Sequence, residues 1–100
     1  MAHMAKRPEI IKVYLDNLLA SRETPKTICP SEVARALSSV ELQAAGVSSW
    51  RELMPEIRSM VAEMRDEGRV EVLQKGEVLE GDLGEGLVNV KGAIRVRRKA

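Results

Sequence analysis

The sequence predicts one α+β domain in which three helices are followed by a β-hairpin. In the first two thirds of the chain, apolar residues recur every three or four positions, as they do along one face of a helix. In the last third, short runs alternate apolar and polar residues between glycines, as strands and turns do. A chain of 100 residues is long enough to bury one compact core. Residues 8–98 are therefore expected to form a single domain.

The first helix is expected over residues 8–21. Lys12 and Asp16 are four residues apart in it, where opposite charges pair on a helix surface. Its apolar residues, at helical spacing, are Ile10, Ile11, Val13, Tyr14, Leu15, Leu18 and Leu19.

A second, shorter helix is expected from Pro30 to about residue 38. Proline suits the first helical position because that position needs no backbone N–H, and Cys29 stands just before it at the cap position. The buried side of this helix is expected to comprise Val33, Ala34 and Leu37. The stretch that follows is interpreted as a connector with a helical turn at residues 40–45.

The third helix is expected to begin near Trp50. Ser49 and Glu52 form the S-x-x-E pattern of a capping box, in which each side chain accepts a hydrogen bond from the other residue's backbone. Pro55 lies beyond the first turn, so it should kink the helix or leave its beginning irregular. Gly68 suits the left-handed position that follows many helix ends.

Helical winding sorts the side chains of the third helix into three sectors. The apolar face comprises Trp50, Leu53, Met54, Ile57, Met60, Val61 and Met64. A basic stripe beside it comprises Arg51, Arg58 and Arg65, spaced seven residues apart. The opposite flank is acidic and comprises Glu52, Glu56, Glu63 and Asp66.

Two strands are expected after the third helix. The run RVEVLQ alternates, with Val70 and Val72 inward, and the QKGE that follows it predicts a tight turn. The run GAIRVRRK near the C-terminus alternates again, with Ile94 and Val96 inward. The glycine-rich stretch between the two runs is expected to contribute part of a strand at residues 87–90.

Three helices followed by a hairpin make the winged form of the helix-turn-helix. Four segments, KTICPSEVARAL, WRELMPEIR, GRVEVLQKGE and KGAIRVR, also resemble, in this order, the signatures of a small winged-helix family catalogued as a domain of unknown function. The resemblance covers nearly all of residues 9–98. It implies a winged-helix fold and brings no established activity.

The chain departs from the pattern of that family in the wing. Members of the family run from the QKG turn through a short loop to a KGPIR strand, whereas this chain has Ala93 in place of the proline and a long acidic insertion at residues 77–85. Phosphate repels carboxylates. The acidic wing is therefore expected to point away from any duplex or to meet a protein.

Composition argues against several classes of function. Sixteen basic residues against fifteen acidic ones give a net charge of +1, so a nucleic-acid site has to be a local patch. Aromatic residues make up 2% of the chain, too few for a sheet that stacks single-stranded bases on a row of rings. Cys29 is the single cysteine, which excludes an internal disulfide and a multi-cysteine metal site. With no catalytic motif either, we expect no enzyme activity, cofactor, metal or small-molecule substrate.

No segment approaches the roughly 18 apolar residues of a membrane span, and the N-terminus lacks the pattern of a signal peptide. We therefore expect an intracellular protein, cytoplasmic or nuclear, without a membrane partner. Residues 1–4, MAHM, resemble a cloning remnant, so His3 is excluded from the candidate site.

The expected function is weak binding of double-stranded DNA through the third helix and the base of the hairpin. In helix-turn-helix proteins the helix after the turn enters the major groove, where arginines reach guanine edges or phosphates. The candidate contacts are Arg35, Arg51, Arg58, Arg65, Lys75, Arg95, Arg97 and Arg98. A purely structural role is the competing interpretation, because arginines also lie along core edges, and Glu71 is placed to pair with Arg95 or Arg97.

The alternative function is that of a protein-interaction module, since the fold does not dictate the partner. Such a module would dock a partner through its winged-helix surface and its acidic wing, which carries Glu77, Glu80, Asp82 and Glu85 against Lys75 and Lys91. No heptad or apolar patch marks an interface between copies, so a monomer or weak dimer is expected.

Overall fold

The computed structural model describes residues 7–23 and 26–99, and the suspected remnant at residues 1–4 lies outside them. The described helices are α1 (Arg7–Ser21), α2 (Pro30–Ala36), α3 (Ser39–Ala44) and α4 (Met54–Asp66). The strands are β1 (Val70–Gln74), β2 (Glu77–Val78) and β3 (Arg95–Arg98), and two 3-10 helices lie at Trp50–Leu53 and Glu85–Leu87. The expected mixed α+β class is confirmed.

The described chain has four α-helices instead of three, because α3 forms where only a helical turn was expected. Ser38 caps it, since the Ser38 Oγ accepts from the backbone N–H of Glu41 at 3.1 Å. In return the backbone N–H of Ser38 donates to Glu41 Oε1 at 2.8 Å. This capping box satisfies two N–H groups at the helix start. Leu37, the residue before this cap, is already extended, with ψ of 137°, and α2 therefore ends at Ala36.

The predicted third helix is divided at its beginning, as Pro55 required. Residues Trp50–Leu53 form a 3-10 helix, and the α-helical part begins at Met54. The capping box of Ser49 and Glu52 is present, and the Ser49 N–H donates to Glu52 Oε2 at 3.1 Å. It caps the beginning of the 3-10 helix and not that of α4. Proline has no N–H to donate to the preceding turn, which accounts for the change of helix type.

Gly68 ends α4 in the left-handed conformation, with φ of +76°. The N–H of Gly68 donates to Arg65 O at 3.0 Å, and the N–H of Arg69 donates to Met64 O at 2.9 Å. These are the two bonds of a Schellman motif. The end of the helix is therefore confirmed at the predicted glycine.

The three strands form an antiparallel sheet in the order β2-β1-β3. The expected hairpin is confirmed, since β1 pairs with β3 from Val70 opposite Arg98 to Leu73 opposite Arg95. The expected turn contains residues 75 and 76, both with positive φ, and it joins β1 to β2. The strand β2 was not expected.

The prediction of a strand at residues 87–90 is wrong. Gly86 and Leu87 have φ of +65° and +63°, and the chain there turns through the 3-10 helix Glu85–Leu87. A strand requires negative φ throughout. The segment belongs instead to what we call the long loop, residues 79–94, which joins β2 to β3.

The core of the described residues consists of aliphatic side chains and one methionine. Its fully buried members include Ile11, Leu15, Ile28, Val33, Leu53, Ile57, Val61, Val72, Leu87, Ile94 and Val96. The inward positions expected on β1 and β3 are thus confirmed. The long loop also contributes to the core, because Leu87 is 1% exposed.

Acid should destabilise this fold through the capping carboxylates. The N–H of Ser38 and the hydroxyl of Tyr14, whose oxygen lies 2.6 Å from Glu41, hold the pKa of the Glu41 carboxyl below its ordinary value of 4.5. Glu32 and Glu52 have lowered pKa values too, through Arg22 and Ser48 respectively. A carboxyl group whose pKa is lowered in the folded protein adds stability at pH values above its pKa in the unfolded chain. This stability is lost as the pH falls below 4.5 and through the pKa values of the folded protein.

The measurement is thermal unfolding of wild type and Tyr14→Phe across pH. The variant loses the hydroxyl that bonds the Glu41 carboxylate, so its Tm should be lower than that of wild type at about pH 7. The difference should narrow as the pH falls below 4.5, because Glu41 becomes increasingly protonated in both proteins. A Tm difference that does not change with pH would contradict the assignment.

Candidate nucleic-acid interface

Arg58 projects from α4 onto the C-terminal part of the long loop. Its Nη1 donates to the carbonyl oxygen of Val90 at 3.0 Å, and its Nη2 donates to the carbonyl of Gly92. Both acceptors are backbone groups more than 30 positions away in the sequence. The Arg58 guanidinium thus holds the loop against the helix.

Arg65 holds the N-terminal part of the long loop against α4. Its Nη2 donates to the carbonyl oxygens of Leu79 at 3.2 Å and Gly81 at 2.8 Å. Arg58 and Arg65 are both half-buried as well as bonded to backbone carbonyls, so their donors are less available to phosphate than those of exposed arginines. Arg58 and Arg65 stay predictions as DNA contacts, while their contacts within the fold favour a structural role.

The solvent side of α4 is acidic. The exposed residues of this helix are Pro55, Glu63 and Asp66, whereas Arg58 and Arg65 are half-buried. The basic stripe inferred from seven-residue spacing is therefore not a continuous free surface, because the long loop lies against two of its three members.

Arg51, the remaining member of the stripe, lies over the ring of Trp50. Its guanidinium carbon is 4.6 Å from the ring centre, and that of Arg35 on α2 is 5.7 Å from the same centre. Both distances suit cation–π attraction. Both arginines are exposed, and neither is ion-paired with a carboxylate in the described part of the chain.

A second basic group lies where β3 meets the segment after α1. Arg98 donates to the carbonyl of Arg22 at 2.9 Å, and Arg95 donates to Thr27 Oγ1 at 2.8 Å. Arg22 pairs with Glu32 at 2.8 Å. The hydrogen bond from Arg22 lowers the pKa of Glu32 most, and the charge of Arg95 adds to the effect. The hydrogen-bond acceptors of Arg95 and Arg98 are neutral, so neither side chain is paired with a carboxylate in the described residues.

Glu32 and Arg35 are three residues apart on α2, which places them on the same side of the helix. We infer from this spacing that the two basic groups lie on one surface. We call this surface the α2 strip. It comprises Arg22, Arg35, Trp50, Arg51, Arg95 and Arg98. Among the described ion pairs and hydrogen bonds of these five arginines, Glu32 is the one carboxylate, so the paired groups of the strip carry more positive than negative charge.

Besides Arg58 and Arg65, two further candidates lie outside the α2 strip. Arg97 pairs with Glu71 across the hairpin at 2.9 Å, as was expected for one of the two outward arginines of β3. Lys75 is exposed in the turn between β1 and β2, and no hydrogen bond or ion pair of the described residues joins it to the strip. Both stay predictions as DNA contacts.

Sequence patterns missed two members of the strip. Trp50 was assigned to the apolar face of the third helix, and it does pack against the core while remaining half-buried. The helical pattern did not indicate the two arginines that lie beside its ring. Arg22 follows the end of α1, where no periodicity marks it. Its partner Glu32 is ten residues away, a separation that carries no local signal.

Cys29 is half-buried, with its Sγ 3.1 Å from Ser31 Oγ. Across residues 7–23 and 26–99, acidic, histidine and cysteine side chains form no group of three that could hold a metal ion. Within the same residues, each helix is too short or too polar to cross a bilayer.

Comparison with known proteins agrees with the resemblance noted in the sequence. No curated protein matches the chain. A family model described as "Protein of unknown function (DUF3253)" matches residues 8–99. Since the match covers nearly the whole chain, the protein belongs to this DUF3253 family of unknown function.

Proposed function

We propose that the protein is a winged-helix domain that binds double-stranded DNA weakly through the α2 strip. The winged-helix assignment is supported by the order of elements, with α2, α3 and α4 preceding the hairpin of β1 and β3. It is also supported by the antiparallel bridge between Ile28 and Val96, which adds the segment between α1 and α2 to the sheet.

The separation of charge on the surface carries the functional proposal. The whole chain has a net charge of only +1, yet five arginines lie in the α2 strip with Glu32 as the one carboxylate among their described contacts. Arginines that contact phosphates release counterions, which gives binding that weakens as salt rises. Compared with the sequence-based expectation, the proposed site keeps Arg35, Arg51, Arg95 and Arg98.

The test is a fluorescence-anisotropy titration of a labelled mixed-sequence duplex at low and near-physiological salt. If about five phosphates are contacted, the slope of log K against log salt should be about −4 to −5. The double variant Arg35→Glu/Arg51→Glu should lose on the order of tenfold or more in affinity at low salt.

Lys12→Glu/Lys91→Glu is the matched control, because it changes the net charge equally at two exposed positions that lie outside the strip and are not candidate contacts. This control should bind far better than the strip variant. Equal losses in the two variants would mean that overall charge, and not the strip, governs binding. Circular dichroism should show both variants folded.

Docking of a protein partner is the second candidate. Glu77, Glu80, Asp82 and Glu85 are all exposed, and none of them is in an ion pair within the described residues. Arg65 also holds the backbone at positions 79 and 81, which keeps this acidic surface in place. Absence of DNA binding by folded protein at low salt would favour this candidate.

A further inference from the structure

The two aromatic residues of the chain lie in different surroundings. The Tyr14 hydroxyl donates to the carboxylate of Glu41 at 2.6 Å and so links α1 to α3. Trp50 is half-buried: it packs against the aliphatic core and stays partly exposed at the surface. A tryptophan ring would bury more apolar area inside the core than at a half-buried position on the surface. Tryptophan and arginine together at a surface are typical of binding sites.

Packing between two elements places the Trp50 ring beside its two arginines. Arg51 belongs to the 3-10 helix, and Arg35 comes from α2. Arg35 is the more distant of the two, at 5.7 Å from the ring centre. The described residues give its guanidinium no hydrogen bond or ion pair. Arg35 can therefore leave the ring for a phosphate without breaking a polar contact.

A ligand that suits this arrangement has a flat face for the indole and a phosphate close to that face. A nucleotide with an unpaired base has both, and single-stranded nucleic acid is bound by such stacking on aromatic rings and guanidinium planes. Bases inside an intact duplex are stacked on their neighbours and are not available. One ring accommodates one base, which is consistent with the lack of a row of aromatic residues.

We propose that Trp50 stacks on an unpaired base, so that the α2 strip binds single-stranded DNA more tightly than blunt duplex. This inference rests on the proposed DNA binding and adds the form of DNA preferred. Arg35 and Arg51 bind the phosphates that flank the stacked base. One stack is worth on the order of tenfold in affinity.

Trp50 is the single tryptophan of the chain, so its fluorescence reports on the site directly. The wild-type protein is titrated with an unlabelled single-stranded oligonucleotide and with a blunt duplex that has the same number of phosphates. The single strand should quench Trp50 and bind about tenfold more tightly. Equal affinities, with Trp50 fluorescence unchanged by either DNA, would overturn the inference.

Trp50→Leu removes the aromatic ring and leaves the arginines in place. It should keep salt-dependent duplex binding and lose the preference for the single strand, whereas Trp50→Phe should keep part of that preference. Thermal melts establish that the variants fold. If Trp50→Leu does not fold, Trp50→Phe and the quenching of the wild type still decide the matter.

The two proposals fail in different ways. If folded wild-type protein binds neither DNA at low salt, the proposed function is wrong and this inference falls with it. If duplex and single strand bind equally, the strip remains and only the stacking role is wrong. A preference for the single strand that persists in Trp50→Leu would also overturn the role of Trp50.

Discussion

Leu87→Ala is expected to lower the free energy of unfolding by about 2–5 kcal/mol, although Leu87 lies in the long loop. Its side chain is 1% exposed and belongs to the hydrophobic core. Truncation removes buried methyl groups and leaves a cavity that the loop cannot fill without moving. The positive φ of +63° at this position is as unfavourable for alanine as for leucine, so backbone strain should cancel in the comparison.

Val88→Ala is the matched control for this prediction. Val88 is the next residue in the chain and is 68% exposed, so its truncation should cost about 0.5 kcal/mol or less. Urea unfolding followed by circular dichroism measures both variants. Similar losses at the two positions would show that the long loop is not anchored through Leu87.

Arg58→Ala is expected to lower the free energy of unfolding by about 1.5–3 kcal/mol. The variant removes the donors to the carbonyls of Val90 and Gly92, which lie against α4. Arg58→Lys should recover only part of this loss, because a single ammonium group cannot reproduce the planar, two-armed guanidinium. Faster amide hydrogen exchange in residues 88–92 should accompany the change.

Arg51→Ala is the control for Arg58, since both belong to the basic stripe. The Arg51 side chain has a cation–π contact and no carbonyl acceptor in the described residues, so its loss should cost about 0.5–1 kcal/mol. In DNA binding the order should reverse, with Arg51→Ala weakening binding and Arg58→Ala leaving it nearly unchanged. If Arg58→Ala costs no more stability than Arg51→Ala, the structural assignment of Arg58 is wrong.

Local sequence signals predicted those parts of the fold that depend on neighbouring residues. The α1 ion pair of Lys12 and Asp16, observed at 2.9 Å, follows from four-residue spacing. The capping box of Ser49 and Glu52 and the glycine end of α4 likewise involve residues close in sequence. The pairing of β1 with β3 followed from matched alternation on both sides of a loop.

Local sequence signals led to two wrong predictions, because the same short pattern is compatible with more than one secondary structure. Residues 87–90 contain apolar side chains at strand-like spacing, but the positive φ values at Gly86 and Leu87 exclude a strand. The stretch after α2 was interpreted as a connector with a helical turn at residues 40–45, although the S-x-x-E pattern of Ser38 and Glu41 is itself a helix signal. Both segments are short: α3 has six residues, fewer than the roughly 11–18 over which helical periodicity is counted, and a strand pattern needs at least about four.

The sequence by itself determined the α+β class, the approximate bounds of α1, α2 and α4, and which side chains of the strands point inward. Only the tertiary structure decided which acceptors each arginine reaches. Arg58 finds its acceptors 32 and 34 residues away, and Arg95 finds Thr27 68 residues away. The physical reason is that a guanidinium bonds to whatever acceptor the packing brings near it, and contacts across such separations leave no periodic pattern in the chain.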